Sequence, residues 1–235
     1  MRIIKVIIGL TLSILLGSGV VVAADFDKGL EAYKSGDFKT ALAEWTPLAE
    51  QGVANAQSNI GQMYKSGLGV LASGTKAVKW LTLAAEQGNI KAQSVLGDVY
   101  REGNSDVVKN YTASKNWYEK AAQRGDMTAQ SNLGVMYELG MGVEKNTKTA
   151  VNWYTNAAKQ GYALAQFNLG TMYDFGRGVL TDTKRAYMWY NLASYNGSVR
   201  GGKNKDLITK IMTPADISKA QDMSSQCLES NYTDC

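Results

Sequence analysis

The chain of 235 residues contains no histidine, and that absence removes a large share of enzymology. Ser-His-Asp and Cys-His nucleophile activation, histidine acid–base chemistry and His-containing zinc sites are all excluded. Cysteine is nearly as scarce, with only Cys227 and Cys235, both at the extreme C-terminus. They lack the Cys-x-x-Cys spacing that lowers a thiol pKa, which weighs against a redox pair. In an oxidising compartment they read instead as a disulfide closing a nine-residue loop, worth about 2.6 kcal/mol in the chain-entropy picture. Charge of one sign is also lacking. The formal net charge is +4, falling to +2 without Arg2 and Lys5, and no Lys/Arg-rich tract exists. The chain therefore carries no electrostatic footprint for nucleic acid. No cofactor motif and no metal-ligand set stands out, and none is expected.

What is present begins with "MRIIKVIIGLTLSILLGSGVVVAADF", which has the form of an export signal. Arg2 and Lys5 supply the positive start, Val6 to Leu16 the apolar stretch, and Val22-Ala23-Ala24 a small-residue cleavage site. Cleavage is expected after Ala24, giving segment 1–24 as signal peptide and a periplasmic or secreted product that meets the membrane only in transit. The absence of a cysteine at the cleavage point argues against a lipoprotein anchor. An uncleaved anchor is the alternative, although the run is short for a stable span.

The rest is periodic. Residues 53–88, 89–125, 126–161 and 162–197 align at a period of 36, with one extra residue in the second unit. Each unit holds two helical patterns joined by a glycine-containing loop. The first pattern carries an Ala-Gln pair (Ala56-Gln57, Ala92-Gln93, Ala129-Gln130, Ala165-Gln166), then an aliphatic-Gly pair (Ile60-Gly61, Leu96-Gly97, Leu133-Gly134, Leu169-Gly170), then Tyr64, Tyr100, Tyr137 or Tyr173. The spacing of four and four puts Ala, aliphatic and Tyr on one face. A mid-helix glycine costs about 1 kcal/mol against alanine, so its fourfold recurrence predicts close approach of a neighbouring helix. The second pattern carries Trp80, Trp117, Trp153 and Trp189, read as core, followed by small residues such as Ala84-Ala85 and Ala157-Ala158. It ends at Gly88, Gly125, Gly161 or Gly197, where a left-handed residue is expected. Asn89 and Asp126 are good N-caps for the following unit; Val53 and Tyr162 are not.

Segment 25–52 keeps Tyr33, Gly36, Ala41, Trp45 and Gly52 without the long loop and reads as an N-terminal capping pair. Segment 198–235 breaks the rhythm. In it Thr213-Pro214-Ala215-Asp216 opens a helix whose apolar stripe is Ile217, Ala220, Met223 and Cys227, a cover for the C-terminal end.

The pattern A-Q-x-N-L-G-x-M-Y…G-x-G-V…A-x-x-W-Y-x-x-A-A-x-x-G resembles the Sel1-like repeats, short-period relatives of tetratricopeptide repeats. The ending "AYMWYNLAS…MTPADISKAQDM…C" is similar to that of exported bacterial members. The resemblance implies an all-α, right-handed solenoid of helix pairs that binds proteins or peptides on its concave face. The second unit departs from it, with Gly103-Asn104-Ser105-Asp106 in place of Gly-x-Gly.

Gly67-Leu68-Gly69, Gly140-Met141-Gly142 and Gly176-Arg177-Gly178 follow helices, whereas a phosphate-cradling loop follows a strand and opens a helix. They read as chain reversals. Residues that the scaffold does not need are the candidates for binding: Ser58, Asn59, Gln62 and Lys65; Ser94, Asp98 and Arg101; Asn132, Val135 and Glu138; Phe167, Asn168, Thr171 and Asp174. Asn59, Asn132 and Asn168 form a ladder broken by Val95, able either to clamp an extended peptide backbone or to stabilise neighbouring loops. The reading is an exported, non-enzymatic adaptor for a protein or peptide, acting in the envelope or on host cells. The alternative is a hydrolase of envelope or extracellular polysaccharide using two carboxylates, such as Glu102 with Asp106 or Glu138 with Asp174.

Overall fold

The computed structural model describes residues 24–235. The expected export signal therefore lies outside the described residues, apart from Ala24. All regular structure among the described residues is helical, and the helices follow the repeat. The N-terminal pair is α1 (Phe26–Ser35) and α2 (Phe38–Glu50). The four repeats supply α3 (Ala54–Ser66) with α4 (Gly74–Glu86), α5 (Ile90–Glu102) with α6 (Tyr111–Gln123), α7 (Met127–Leu139) with α8 (Thr147–Ala158), and α9 (Ala163–Phe175) with α10 (Thr183–Tyr195). Two further helices, α11 (Val199–Thr209) and α12 (Pro214–Glu229), both pack on α10. Each helix through α10 packs on the next, and α3, α5 and α7 also touch in series, as do α9 and α11. This is an α/α solenoid. Its first helices form one layer and its second helices another. The sequence pattern does not mark α11.

The mid-helix glycines have the expected cause. A Cβ on Gly134 would lie 2.5 Å from the ring of Tyr154, and one on Gly97 or Gly170 would meet Tyr118 or Tyr190 at 2.5 and 2.7 Å. Gly61 meets Leu81, and Gly29 meets Trp45, in the same way. The core residue of each second helix is thus the one after the repeated tryptophan. Tyr118, Tyr154, Tyr190 and Leu81 are fully buried, while Trp80, Trp117 and Trp153 are only half-buried; of the four, Trp189 alone is buried. This corrects the assignment of Trp80, Trp117 and Trp153 to the core, while Trp189 is a core residue as expected. Trp45 is buried because it occupies the tyrosine position of its own pair, not the tryptophan position.

The Ala-Gln pair is a staple between units. Gln57, Gln93, Gln130 and Gln166 are buried, and each Nε2 donates back to a carbonyl at the end of the preceding second helix: Ala49, Ala85, Ala122 and Ala158, at 3.0–3.1 Å. Three of the four glutamines also accept on Oε1, from Gln87, Gln160 and Asn196 at 2.7–2.9 Å. In the second unit that donor position is Arg124, which donates to the Gly88 carbonyl instead, and Gln93 Oε1 is left buried without a partner among the described residues.

The Gly-x-Gly loops are joints. The first glycines have φ of 64–74° and end α3, α7 and α9 in left-handed conformation. The second glycines abut the starts of α2, α6 and α8, at Phe38, Tyr111 and Thr147, leaving no room for a Cβ. In the divergent second unit Asp106 makes the equivalent contact by hydrogen bonding. Its carboxylate accepts from Ser73 Oγ and from the backbone N–H of Gly74 and Thr75, each at 3.0 Å. Asp106 therefore caps α4 from outside.

At the C-terminal end Thr213 caps α12 and Cys227 is joined to Cys235, with Cα atoms 4.9 Å apart. The closed loop returns Tyr232 to the repeats, where its hydroxyl donates to Asn196 Oδ1 at 3.2 Å and its ring lies against Gly161.

Candidate ligand-binding groove

The candidate face, expected to be the concave one, is the exposed side of the layer formed by α3, α5, α7, α9 and α11. The fixed phase of the glycines organises it. Because each second-helix tyrosine crosses at a glycine, its ring passes through the first-helix layer and its hydroxyl emerges among the candidate residues. Tyr118 donates to Asp98 Oδ1 at 2.5 Å, Tyr154 to Glu138 Oε2 at 2.7 Å, and Tyr190 to Asp174 Oδ2 at 3.0 Å. Burial, and then the adjacent carboxylate, hold the Tyr118 and Tyr154 hydroxyls well above the usual phenol range. Tyr190 is raised too, chiefly by burial. All three stay protonated donors at neutral pH, and each anchors one acid.

Asp98 is the hub of the N-terminal half. Besides Tyr118 it takes Asn132 Nδ2 at 3.1 Å and Arg101 Nη2 at 3.5 Å, with Lys65 Nζ 3.8 Å from its other oxygen. Arg101 donates to the Tyr118 hydroxyl at 3.1 Å, and Glu102 pairs with Lys65 and Arg101 at 3.3 and 3.0 Å. Five candidate side chains from α3, α5 and α7 thus form one closed polar network. In the C-terminal half Glu138 pairs with Arg177 at 3.2 Å. Further along this layer large apolar side chains are exposed: Leu139 at the end of α7, Phe175 at the end of α9, Leu207 on α11 and Ile211 in the turn after α11 are 63, 62, 59 and 78% exposed, and the last three line one hollow.

Not every candidate reaches this surface. Ser58 and Ser94 are buried; Ser94 donates to Asp126 at 3.0 Å, and Ser58 Oγ has no partner. They sit between repeats, one position too far round the helix for the groove. Asn59, Gln62, Asn168 and Val135 are half-buried on the face, the three polar ones with no side-chain hydrogen bond among the described residues. Thr171 Oγ1 donates to the Phe167 carbonyl at 3.0 Å. The Asn ladder is divided, since Asn132 is committed to Asp98. Sequence reasoning missed Leu139, Phe175, Leu207 and Ile211. The equivalence of Leu139 and Phe175, each just before a loop glycine, was the available signal.

The carboxylate pair Glu102 and Asp106 is not arranged for acid–base work. A glycosidic general acid needs a raised pKa, whereas Asp106 is held below the usual aspartate range, first by the Thr75 N–H and then by Ser73 and Gly74. No group of three or more acids or cysteines among the described residues is placed to hold a metal. No helix among them is long and apolar enough to cross a membrane.

None of the curated proteins matches the chain. Among solved structures it is similar to a Sel1 repeat protein from Oxalobacter formigenes, with 30% identity and a TM-score of 0.71, covering 77% of this chain and 74% of that one. It is also similar to a protective antigen present in uropathogenic Escherichia coli strains that displays an SLR fold, with 28% identity and a TM-score of 0.54. That alignment covers 86% of this chain but 53% of the other, so the chain spans about half the length of the antigen. The family model of the Sel1 repeat matches residues 54–89, 90–126, 128–162 and 163–198, the same four units that the glycines and tyrosines mark out. With four consecutive matches over more than half its length, the chain belongs to the Sel1 repeat family.

Proposed function

We propose that the protein is an exported, non-enzymatic scaffold that binds a protein or peptide partner along the face of α3, α5, α7, α9 and α11. The observation that carries this reading is the exposure of apolar side chains. Four large side chains, at the ends of α7 and α9, on α11 and in the turn after it, are more than half exposed, three of them around one hollow, an arrangement that costs solubility unless something covers it. The adjoining polar network fixes its charged groups to one another, leaving a prearranged surface that loses little entropy on binding. Export is supported by the form of residues 1–24 and by the disulfide, which persists only in an oxidising compartment.

The test is capture from native envelope and culture fluid with wild-type protein, a Phe175→Ser/Ile211→Ser variant, and a Leu71→Ser control in an exposed loop remote from the groove. Wild type and the control should retain the same partner and the groove variant should lose it. Equal capture by all three would sink the groove assignment. Cell fractionation tests export directly: recovery in the cytoplasm with residues 1–24 intact would contradict it.

A further inference from the structure

The C-terminal end of the groove is more specific than its apolar side chains alone. Resting on the groove reading, we infer that the hollow between the end of α9 and α11 seats a lysine side chain of the partner, with Asp174 receiving its charge. The hollow measures about 330 Å³ and is lined by Asp174, Phe175, Asn204, Leu207, Ile208 and Ile211.

The acids of this face differ in one respect. Asp98, Glu102 and Glu138 each have a cation of the same chain within 4.0 Å: Lys65 and Arg101 for the first two, Arg177 for the third. Asp174 has none among the described residues. Its Oδ2 accepts the Tyr190 hydroxyl and its Oδ1 has no donor among the described residues. A half-buried carboxylate against apolar walls has lost part of its hydration, and a cation arriving there recovers that loss. Arg177, three residues on in sequence, is engaged elsewhere: its guanidinium pairs with Glu138 and lies 5.2 Å from the Phe175 ring centroid.

Lysine fits both surfaces of the hollow. Its four methylenes lie against Leu207, Ile208 and Ile211, and its ammonium, a compact donor, reaches the open oxygen of Asp174. An arginine would compete with Arg177 for the face of Phe175. A glutamate would be repelled, and an uncharged aliphatic chain would cover the walls while leaving the acid unmatched.

The experiment titrates the full mature protein, followed by amide NMR shifts, with three blocked heptapeptides of alanine and leucine that differ only at the centre: lysine, norleucine or glutamate. The lysine peptide should bind about tenfold more tightly than the norleucine peptide, the scale of one charge-assisted hydrogen bond, and the glutamate peptide more weakly still. Shifts should concentrate in α9 and α11. Asp174→Asn keeps an acceptor for Tyr190 and should leave the melting temperature unchanged while bringing the lysine peptide down to the norleucine level. If wild type does not distinguish lysine from norleucine, or if the preference survives in Asp174→Asn, the lysine assignment is overturned while a groove that binds peptides stands. If no peptide moves any amide of α7, α9 or α11, the assignment and the groove reading fall together.

Discussion

The orphaned acceptor in the second repeat supplies the sharpest test of how these units hold together. In the first, third and fourth repeats a carboxamide just before the closing glycine (Gln87, Gln160, Asn196) donates to the buried staple glutamine of its own repeat. In the second, Arg124 occupies that position and Gln93 Oε1 is buried with no donor among the described residues. Arg124→Gln should therefore stabilise the protein. An unsatisfied buried acceptor costs about 1–3 kcal/mol, and a new neutral hydrogen bond recovers about 1 kcal/mol of it net. Against this stands the loss of the contact between Arg124 and the Gly88 carbonyl, which is exposed and worth about 0.5 kcal/mol at most. The balance is a gain of about 0.5–1 kcal/mol, or about 1–4 °C in Tm for a domain of this size. The reverse change in the third repeat, Gln160→Arg, should orphan Gln130 Oε1 and cost about 1–2 kcal/mol. Urea denaturation followed by circular dichroism reads both, with equal m-values required so that the change is assigned to the folded state. A destabilising Arg124→Gln together with a harmless Gln160→Arg would refute the carboxamide relay as a stabilising element.

The two adjacent aromatics of the third repeat should separate cleanly. Tyr154→Ala, at a fully buried site, should cost about 3–5 kcal/mol, and Trp153→Ala, at a half-buried one, clearly less; equal losses in denaturation would mean that the tryptophan is core after all. Gly134→Ala places a methyl 2.5 Å from the Tyr154 ring, so overpacking of about 1–3 kcal/mol should exceed the gain of about 1 kcal/mol in helix propensity, and a stabilised variant would contradict the close approach. Asp106 is lowered in the folded state by the donors at the start of α4; its contribution is therefore complete above the ordinary aspartate pKa of about 3.9 and disappears as pH falls through the lower folded value. Asp106→Asn should flatten the acid limb of a stability–pH curve below about pH 4, and an unchanged limb would exclude that role. Non-reducing peptide mapping of exported material should link Cys227 to Cys235 within one chain, and Cys227→Ser/Cys235→Ser should lose up to about 2.6 kcal/mol; free thiols or a reductant-sensitive dimer would contradict the pairing.

Much of the scaffold was legible because the repeat reports each decision four times. Glycine at one helical phase demanded a crossing partner, and the structure supplies Leu81, Tyr118, Tyr154 and Tyr190. The choice of tryptophan over tyrosine as core went wrong because size was weighed above periodicity. Leu81 lies four residues after Ala77, three before Ala84 and four before Ala85 along the buried stripe, and Trp80 lies one residue, about 100°, away from it. Ser58 and Ser94 went wrong for a related reason: with Ser131 they hold one position in three repeats, which marks scaffold. The groove network could not be read from spacing. The side chains that meet at Asp98 come from helices 3 to 34 residues distant, and only the assembled layer brings them within reach.

The departures of the second repeat share a consequence. Asp106 replaces a steric joint by a polar cap, Arg124 gives up a carboxamide relay, and Asp98 gathers Lys65, Arg101, Tyr118 and Asn132. The first trades close contact for hydrogen bonds and the second leaves one unmade, so the repeat becomes less regular where it is structural. The third ties α3, α5 and α7 together across the binding face. A solenoid is stabilised mainly by contacts between neighbours, and a network spanning three units couples repeats that would otherwise fold and fluctuate pairwise. The exposed apolar side chains begin just beyond that network, at the end of α7. Their start is therefore held by charges fixed upstream, while their far end, on α11 and the turn after it, is held by the packing of α11 and α12 on α10. A partner lying along α7, α9 and α11 meets a surface fixed at both ends, and the open Asp174 lies between them.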